Sequence, residues 1–149
     1  MLFYSHCYFI HTKLLPLLRQ NITKLTETMN SQICTMTISE VAERINGRIV
    51  CYGNNNAEEI EYAFSSDLMS DVLKVEKENV LLITGLTNLQ AVRTSEMSEI
   101  NCIVFARNKK AGSEIISLAK ETGITLIESP YSVFRISGEL YKAGIKPLF

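Results

Sequence analysis

The sequence contains no tryptophan, three prolines and two histidines, His6 and His11, both near its start. Residues 36–149 therefore offer no imidazole, which is the usual general base for a serine or cysteine nucleophile and a common ligand for zinc or iron. Four cysteines, Cys7, Cys34, Cys51 and Cys102, show no C-x-x-C spacing. Two of them fall in apolar runs where a thiol acts as a small hydrophobe, as expected of reduced cysteines in a cytoplasmic protein. Charge of one sign is also lacking: 15 Lys and Arg stand against 16 Asp and Glu, with pI near 6.1. Without a basic stripe, no nucleic-acid partner is expected. The opening run MLFYSHCYFIHTKLLPLLRQ is broken by His6, His11, Lys13 and Pro16, well short of the roughly 18–20 apolar residues a membrane span needs. It lacks a basic start and a small-residue cleavage site, so neither an anchor nor a signal peptide is expected.

What is present suits one globular domain: 149 residues, 46% hydrophobic and 21% charged. Met29 and Met36 stand just ahead of the first well-formed helix signal, and the residues before them lack periodicity. Residues 1–35 read as an extension upstream of the true start, and residues 36–149 as the domain.

TISEVAERING (37–47) carries a capping box, Thr37 with Glu40, an apolar face of Ile38, Val41, Ala42 and Ile45, and an Asn46-Gly47 stop. GRIVCYG reads as a strand, NNNAEE as a loop, and IEYAF as a strand with Ile60, Tyr62 and Phe64 on one side. The apolar runs NVLLIT (79–84), NCIVFA (101–106) and ITLIES (124–129) do not alternate, which predicts strands covered on both faces. Each is followed by helical periodicity, in Leu89 and Val92, then Ile115, Leu118 and Ala119, then Val133, Ile136 and Leu140. Ser129-Pro130 signals the last helix start, and Gly123 and Gly144 fall where C-terminal caps belong. The predicted fold is α/β, a single three-layer domain with a mostly parallel sheet.

In AFSSDLMSDVLK (63–74), Asp67 and Asp71 are four apart, the spacing of one helical face. A lone aspartate pair with no histidine or third acid beside it is a poor metal site. The expected role is structural, with Ser65, Ser66 or Asp67 capping a helix that buries Leu68, Val72 and Leu73. Ligands of open α/β sheets bind beyond the carboxyl ends of the strands, here Thr84–Asn88, Arg107–Lys110 and Glu128–Tyr131. Gly85 permits close backbone approach, and Thr87 or Asn88 opens a helix whose free N–H groups favour an anion. The turn matches neither G-x-x-x-x-G-K-[ST] nor G-x-G-x-x-G, and a glycine beside an N-cap is also the ordinary way to begin a helix. Arg107, Lys109 and Lys110 add positive charge suited to phosphate, although a basic surface loop is the commoner meaning of such a run.

The serine–aspartate stretch at 63–74, the strand NVLLITG and the segment CIVFARNKKAGSEIISLAKETGITLIESPYSVFRISGELYKAGI (102–145) together resemble stand-alone DRTGG-domain proteins. More distantly, they resemble the N-terminal domain of HPr kinase/phosphorylase. The resemblance covers about residues 36–145. It implies a non-catalytic α/β module, found alone or beside CBS domains, phosphotransacetylases and regulated pyrophosphatases, where it contributes to adenine-nucleotide regulation through a dimer. Stand-alone members are often labelled regulatory subunits of serine kinases. The signature itself differs: Gly85-Leu86-Thr87-Asn88 replaces a Gly-Asp-Arg turn, and Ala106-Arg107-Asn108 stands where paired glycines belong, so only Gly85 carries over.

The functional expectation is a regulatory or ligand-sensing homodimer that binds an adenine nucleotide or another phosphate-bearing ligand. Its ligand-binding candidates are Ser66, Asp67, Thr84, Gly85, Thr87, Asn88, Arg107, Asn108 and Ser129, with no catalytic residue, metal ligand or cofactor. The alternative is a protein-binding accessory subunit, of a serine kinase or a redox operon, without a small-molecule ligand. An enzyme is the least favoured class, for want of acid–base groups.

Overall fold

The protein is described by a computed structural model over residues 34–54 and 59–149. Of the proposed extension over residues 1–35, residues 1–33 lie outside the described residues.

Thr37 both ends β1 (Met36–Thr37) and caps α1 (Ile38–Arg44). Its hydroxyl accepts from the Glu40 N–H while the Glu40 carboxylate accepts from the Thr37 N–H at 2.8 Å, the reciprocal arrangement a capping box requires. Asn46, at φ 50°, turns the chain out of the helix, and the Gly47 N–H closes on the Ala42 carbonyl at 2.7 Å. The chain continues through β2 (Arg48–Cys51), β3 (Glu59–Ile60), β4 (Tyr62–Ser65) and α2 (Met69–Val72). Three strand–helix units follow: β5 (Val80–Thr84) with α3 (Leu89–Met97), β6 (Cys102–Phe105) with α4 (Ser113–Thr122), and β7 (Thr125–Glu128) with α5 (Val133–Lys142). A short β8 (Lys146–Pro147) ends the described elements.

Six strands form one sheet in the order β2-β7-β6-β5-β4-β8, parallel except for β2, which runs antiparallel to β7. Every residue of β5, β6 and β7 is buried, as their unbroken apolar runs predict. On one face, Leu82, Ile103, Phe105 and Leu126 pack with Val72 of α2, Val92 of α3 and Leu118 of α4. On the other, Leu81, Ile83, Val104 and Ile127 pack with Val41 of α1 and Ile136 and Leu140 of α5. Burial of each such side chain is worth about 1.5–3 kcal/mol, so the three layers are held mainly by these two apolar seams. The mostly parallel three-layer α/β fold is therefore the observed one.

From β4 to β7 the chain steps across the sheet in one direction with its helices on one face. It then returns through α5 on the opposite face to place β8 beside β4. Reversing both direction and face keeps one crossover hand.

Several local expectations are corrected. IEYAF is not one strand: Ile60 pairs with Met36 in a separate two-stranded sheet, and Tyr62 begins β4. The Glu61 and Tyr62 N–H groups both donate to the Asn79 carbonyl, which takes the chain from one sheet to the other. Helix α5 starts at Ser132 rather than Ser129-Pro130, because the Ser132 hydroxyl accepts from the Arg135 N–H while Ser129 is buried in the turn before it. Around α2 the buried residues are Met69 and Val72, with Leu68 and Leu73 exposed. Among the described residues, no helix is long and apolar enough to cross a membrane.

Candidate ligand-binding site

Helices α4 and α5 leave the adjacent strands β6 and β7 toward opposite faces, which opens a crevice at the carboxyl ends of the strands. Beyond those ends lies a cleft of about 440 Å³, bordered by Ser65, Ser66, Asp67, Arg107, Ser132 and the first residues of α5.

Asp67 organises it. No side chain caps α2, and the Asp67 carboxylate reaches across to β5 instead. Oδ1 accepts from the Gly85 N–H at 2.6 Å and the Thr84 hydroxyl at 2.9 Å, while Oδ2 accepts from Arg107 Nη2 at 3.0 Å. The Gly85 amide above all, then Thr84 and Arg107, hold the carboxyl below the usual carboxylate range against the opposing effect of partial burial. The Ser66 hydroxyl accepts from the Leu68 N–H at 2.9 Å and fixes the turn that aims Asp67. Asp71, four residues on, pairs with Lys74 instead, so the two aspartates serve different partners. A Cβ at Gly85 would overlap the Arg107 guanidinium, which lies directly on this backbone.

Arg107 and Asn108 both have left-handed backbones, φ 62° and 56°, within the Ala106-Arg107-Asn108 stretch where the family resemblance leads one to expect paired glycines. The turn is tied to the next loop by the Arg107 N–H donating to the Tyr131 carbonyl at 2.7 Å and the Asn108 N–H to that of Ser129 at 2.9 Å. Such a conformation costs a non-glycine residue about 1–2 kcal/mol, and here it presents a guanidinium to the cleft. Facing it is the N-terminus of α5, where Val133 and Phe134 lie in the first turn and have no intrahelical acceptor for their N–H groups.

Of the nine candidates, Ser66, Asp67 and Arg107 border the cleft, with Thr84 and Gly85 bonded beneath them. The other four do not join them. Asn88 caps α3 by accepting from the Ala91 N–H and faces a separate depression beside Gly112. The Thr87 hydroxyl is buried without a partner. Asn108 does not border the cleft, and its N–H is tied to the Ser129 carbonyl. Ser129 is buried, donating to the Ile45 carbonyl at 2.7 Å. Sequence reasoning missed Ser132 and Phe134, although a serine one residue ahead of the Val133–Ile136–Leu140 period was a legible N-cap signal.

A second carboxylate, Glu128, ends β7. Oε2 accepts from Arg48 at 3.1 Å and Lys110 at 2.9 Å, and Oε1 accepts from the Ala111 N–H at 2.8 Å. Burial works to raise its pKa, but the Ala111, Lys110 and Arg48 hydrogen bonds outweigh it and leave the group below the ordinary range. Among the described residues, no three His, Cys, Asp or Glu side chains gather as a metal shell requires.

These elements define a class: an open α/β module whose polar cleft lies at the crevice of its sheet. The DRTGG domain model matches residues 40–143, and the chain belongs to that family. Its fold is similar to that of the CBS and DRTGG domains of the regulatory region of Clostridium perfringens pyrophosphatase, solved with the activator diadenosine tetraphosphate, at TM-score 0.61 and 14% identity. The match covers 72% of this chain and 46% of that one, so this chain spans about half the length of its structural relative. No curated protein matches the sequence.

Proposed function

We propose that this chain is a non-catalytic regulatory module that binds a small phosphate-bearing ligand at the Asp67–Arg107 cleft and works as a homodimer. The observation that carries the reading is the half-exposed Arg107 guanidinium facing the first turn of α5 across an open cleft. Guanidinium, free N–H groups and helix dipole are complementary to phosphate oxygens. Asp67 holds Arg107 in place while leaving part of its fork free. Membership of the DRTGG family and the fold shared with a pyrophosphatase regulatory region support a regulatory role over a catalytic one. A homodimer is the commonest closed assembly and would let ligand binding bias two arrangements of the pair.

Calorimetric titration of the full chain with pyrophosphate, AMP, ATP and diadenosine polyphosphates tests the site. Binding should weaken at least tenfold in Arg107→Gln, and silence across the panel from folded protein overturns the reading. Light scattering reports the dimer. A second reading, an accessory subunit that docks on a protein, draws on Leu68, Leu73 and Met97, which are exposed around α2 and α3. Ligand silence together with a partner retained from native extract favours it.

A further inference from the structure

An apolar groove of about 480 Å³ runs between α5 and the β4–β8 edge of the sheet. It meets the polar cleft, since Ser65 and Phe134 border both. We propose that the two form one bipartite site for a nucleoside phosphate, with the phosphates in the cleft and the planar base in the groove. This inference rests on reading the cleft as a phosphate site and adds the class of organic group the ligand carries.

Three of the eight exposed large apolar side chains among the described residues, Phe134, Tyr141 and Phe149, border this groove. Phe134 is 89% exposed on a helix whose opposite side is fully buried at Ile136 and Leu140, so it adds nothing to the core. Phe149 is braced edge-on against Phe64, with ring centroids 5.5 Å apart, and forms the far wall. Between Phe134 and Tyr141 on α5 lies Gly138, where an added Cβ would meet nothing within 4 Å. The helix surface there is open. The hydroxyls of Ser65 and Ser137, 2.8 Å apart, put polar atoms beside an otherwise apolar lining, as recognition of a base edge requires. Base stacking on aromatic side chains tolerates any base, and each compartment alone falls in the 300–1,000 Å³ range of small-molecule sites, as estimated for such pockets. A phosphate held by Arg107 and the start of α5 lies in the cleft that adjoins the groove at Ser65 and Phe134.

The test compares pyrophosphate, ribose 5-phosphate and ADP by calorimetry on the full chain and on Gly138→Leu and Phe134→Ala. Leucine at 138 enters open space on a helix that favours it over glycine, and Phe134 is exposed, so both variants should fold, as their melting curves will report. The expected result is ADP bound at least tenfold more tightly than ribose 5-phosphate. Gly138→Leu should erase that preference and leave pyrophosphate affinity unchanged, and Phe134→Ala should reduce the preference. Equal binding of all three probes, or a preference indifferent to Gly138→Leu, overturns the bipartite site while the phosphate reading stands. Absence of all binding overturns both. A dimer lost on Gly138→Leu without any change in ADP binding assigns the groove to a second copy and overturns the proposal.

Discussion

Two carboxylates close the strand ends of this sheet, each holding a backbone N–H and at least one cation, yet they do different work. The Glu128 side chain is 2% exposed, with Ala111, Lys110 and Arg48 converging on it. Asp67 is 48% exposed, holds one guanidinium, and borders a cleft. The buried carboxylate fixes strand β2 and the Lys110–Ala111 loop to β7; a half-exposed one can share its cation with an incoming anion. The difference separates a structural pin from the proposed site, although both carboxyls are displaced in the same direction.

The contrast is broken most forcefully at Glu128. Glu128→Ala leaves the Ala111 N–H without its acceptor and two cations facing each other, at a cost of about 2–3 kcal/mol. Urea unfolding reads it, and a loss under about 0.5 kcal/mol would show that this corner is not a pin. Asp67→Asn should cost about 1 kcal/mol or less, because solvent screens a half-exposed pair.

The pH dependence sharpens the same contrast. Both carboxyls titrate below the ordinary range when folded, so each binds its proton more weakly folded than unfolded. Their stabilisation is complete above the unfolded carboxylate pKa of about 4 and is lost as pH falls through the folded values. Urea midpoints measured from pH 7 to pH 3 should therefore decline in the wild type and decline less steeply in Asp67→Asn. An unchanged slope would mean that Asp67 titrates normally. The smallest effect is at the turn beside the cleft, where Asn108→Gly relieves a left-handed backbone and should raise stability by about 0.5 kcal/mol, seen as a rise of a degree or two in Tm.

The sheet centre and the first helix were legible because their signals are local. Three unbroken apolar runs mark β5, β6 and β7, the Thr37–Glu40 pair marks α1, and Gly123, at φ 73°, caps α4 as expected. Strand β8 was not legible, since two residues including a proline carry no strand pattern and pair only because the returning chain lies beside β4. Ser129-Pro130 misled for a similar reason: the serine's hydroxyl is claimed by Ile45, 84 residues away. The candidate site was half legible. Strand-end geometry pointed to Thr84, Gly85 and Arg107, but a local view assigned Asp67 to capping, when its partners lie 17, 18 and 40 residues further on.

The short β8 strand shapes one margin of the sheet. Pro147 has no N–H to offer a neighbouring chain, and β2, at the opposite margin of the sheet, has an irregular register between Ile49 and Cys51. Both margins thus resist strand-by-strand growth into a continuous ribbon, the usual route from a parallel sheet to fibrous aggregates. Any association of folded copies is thereby left to side-chain surfaces.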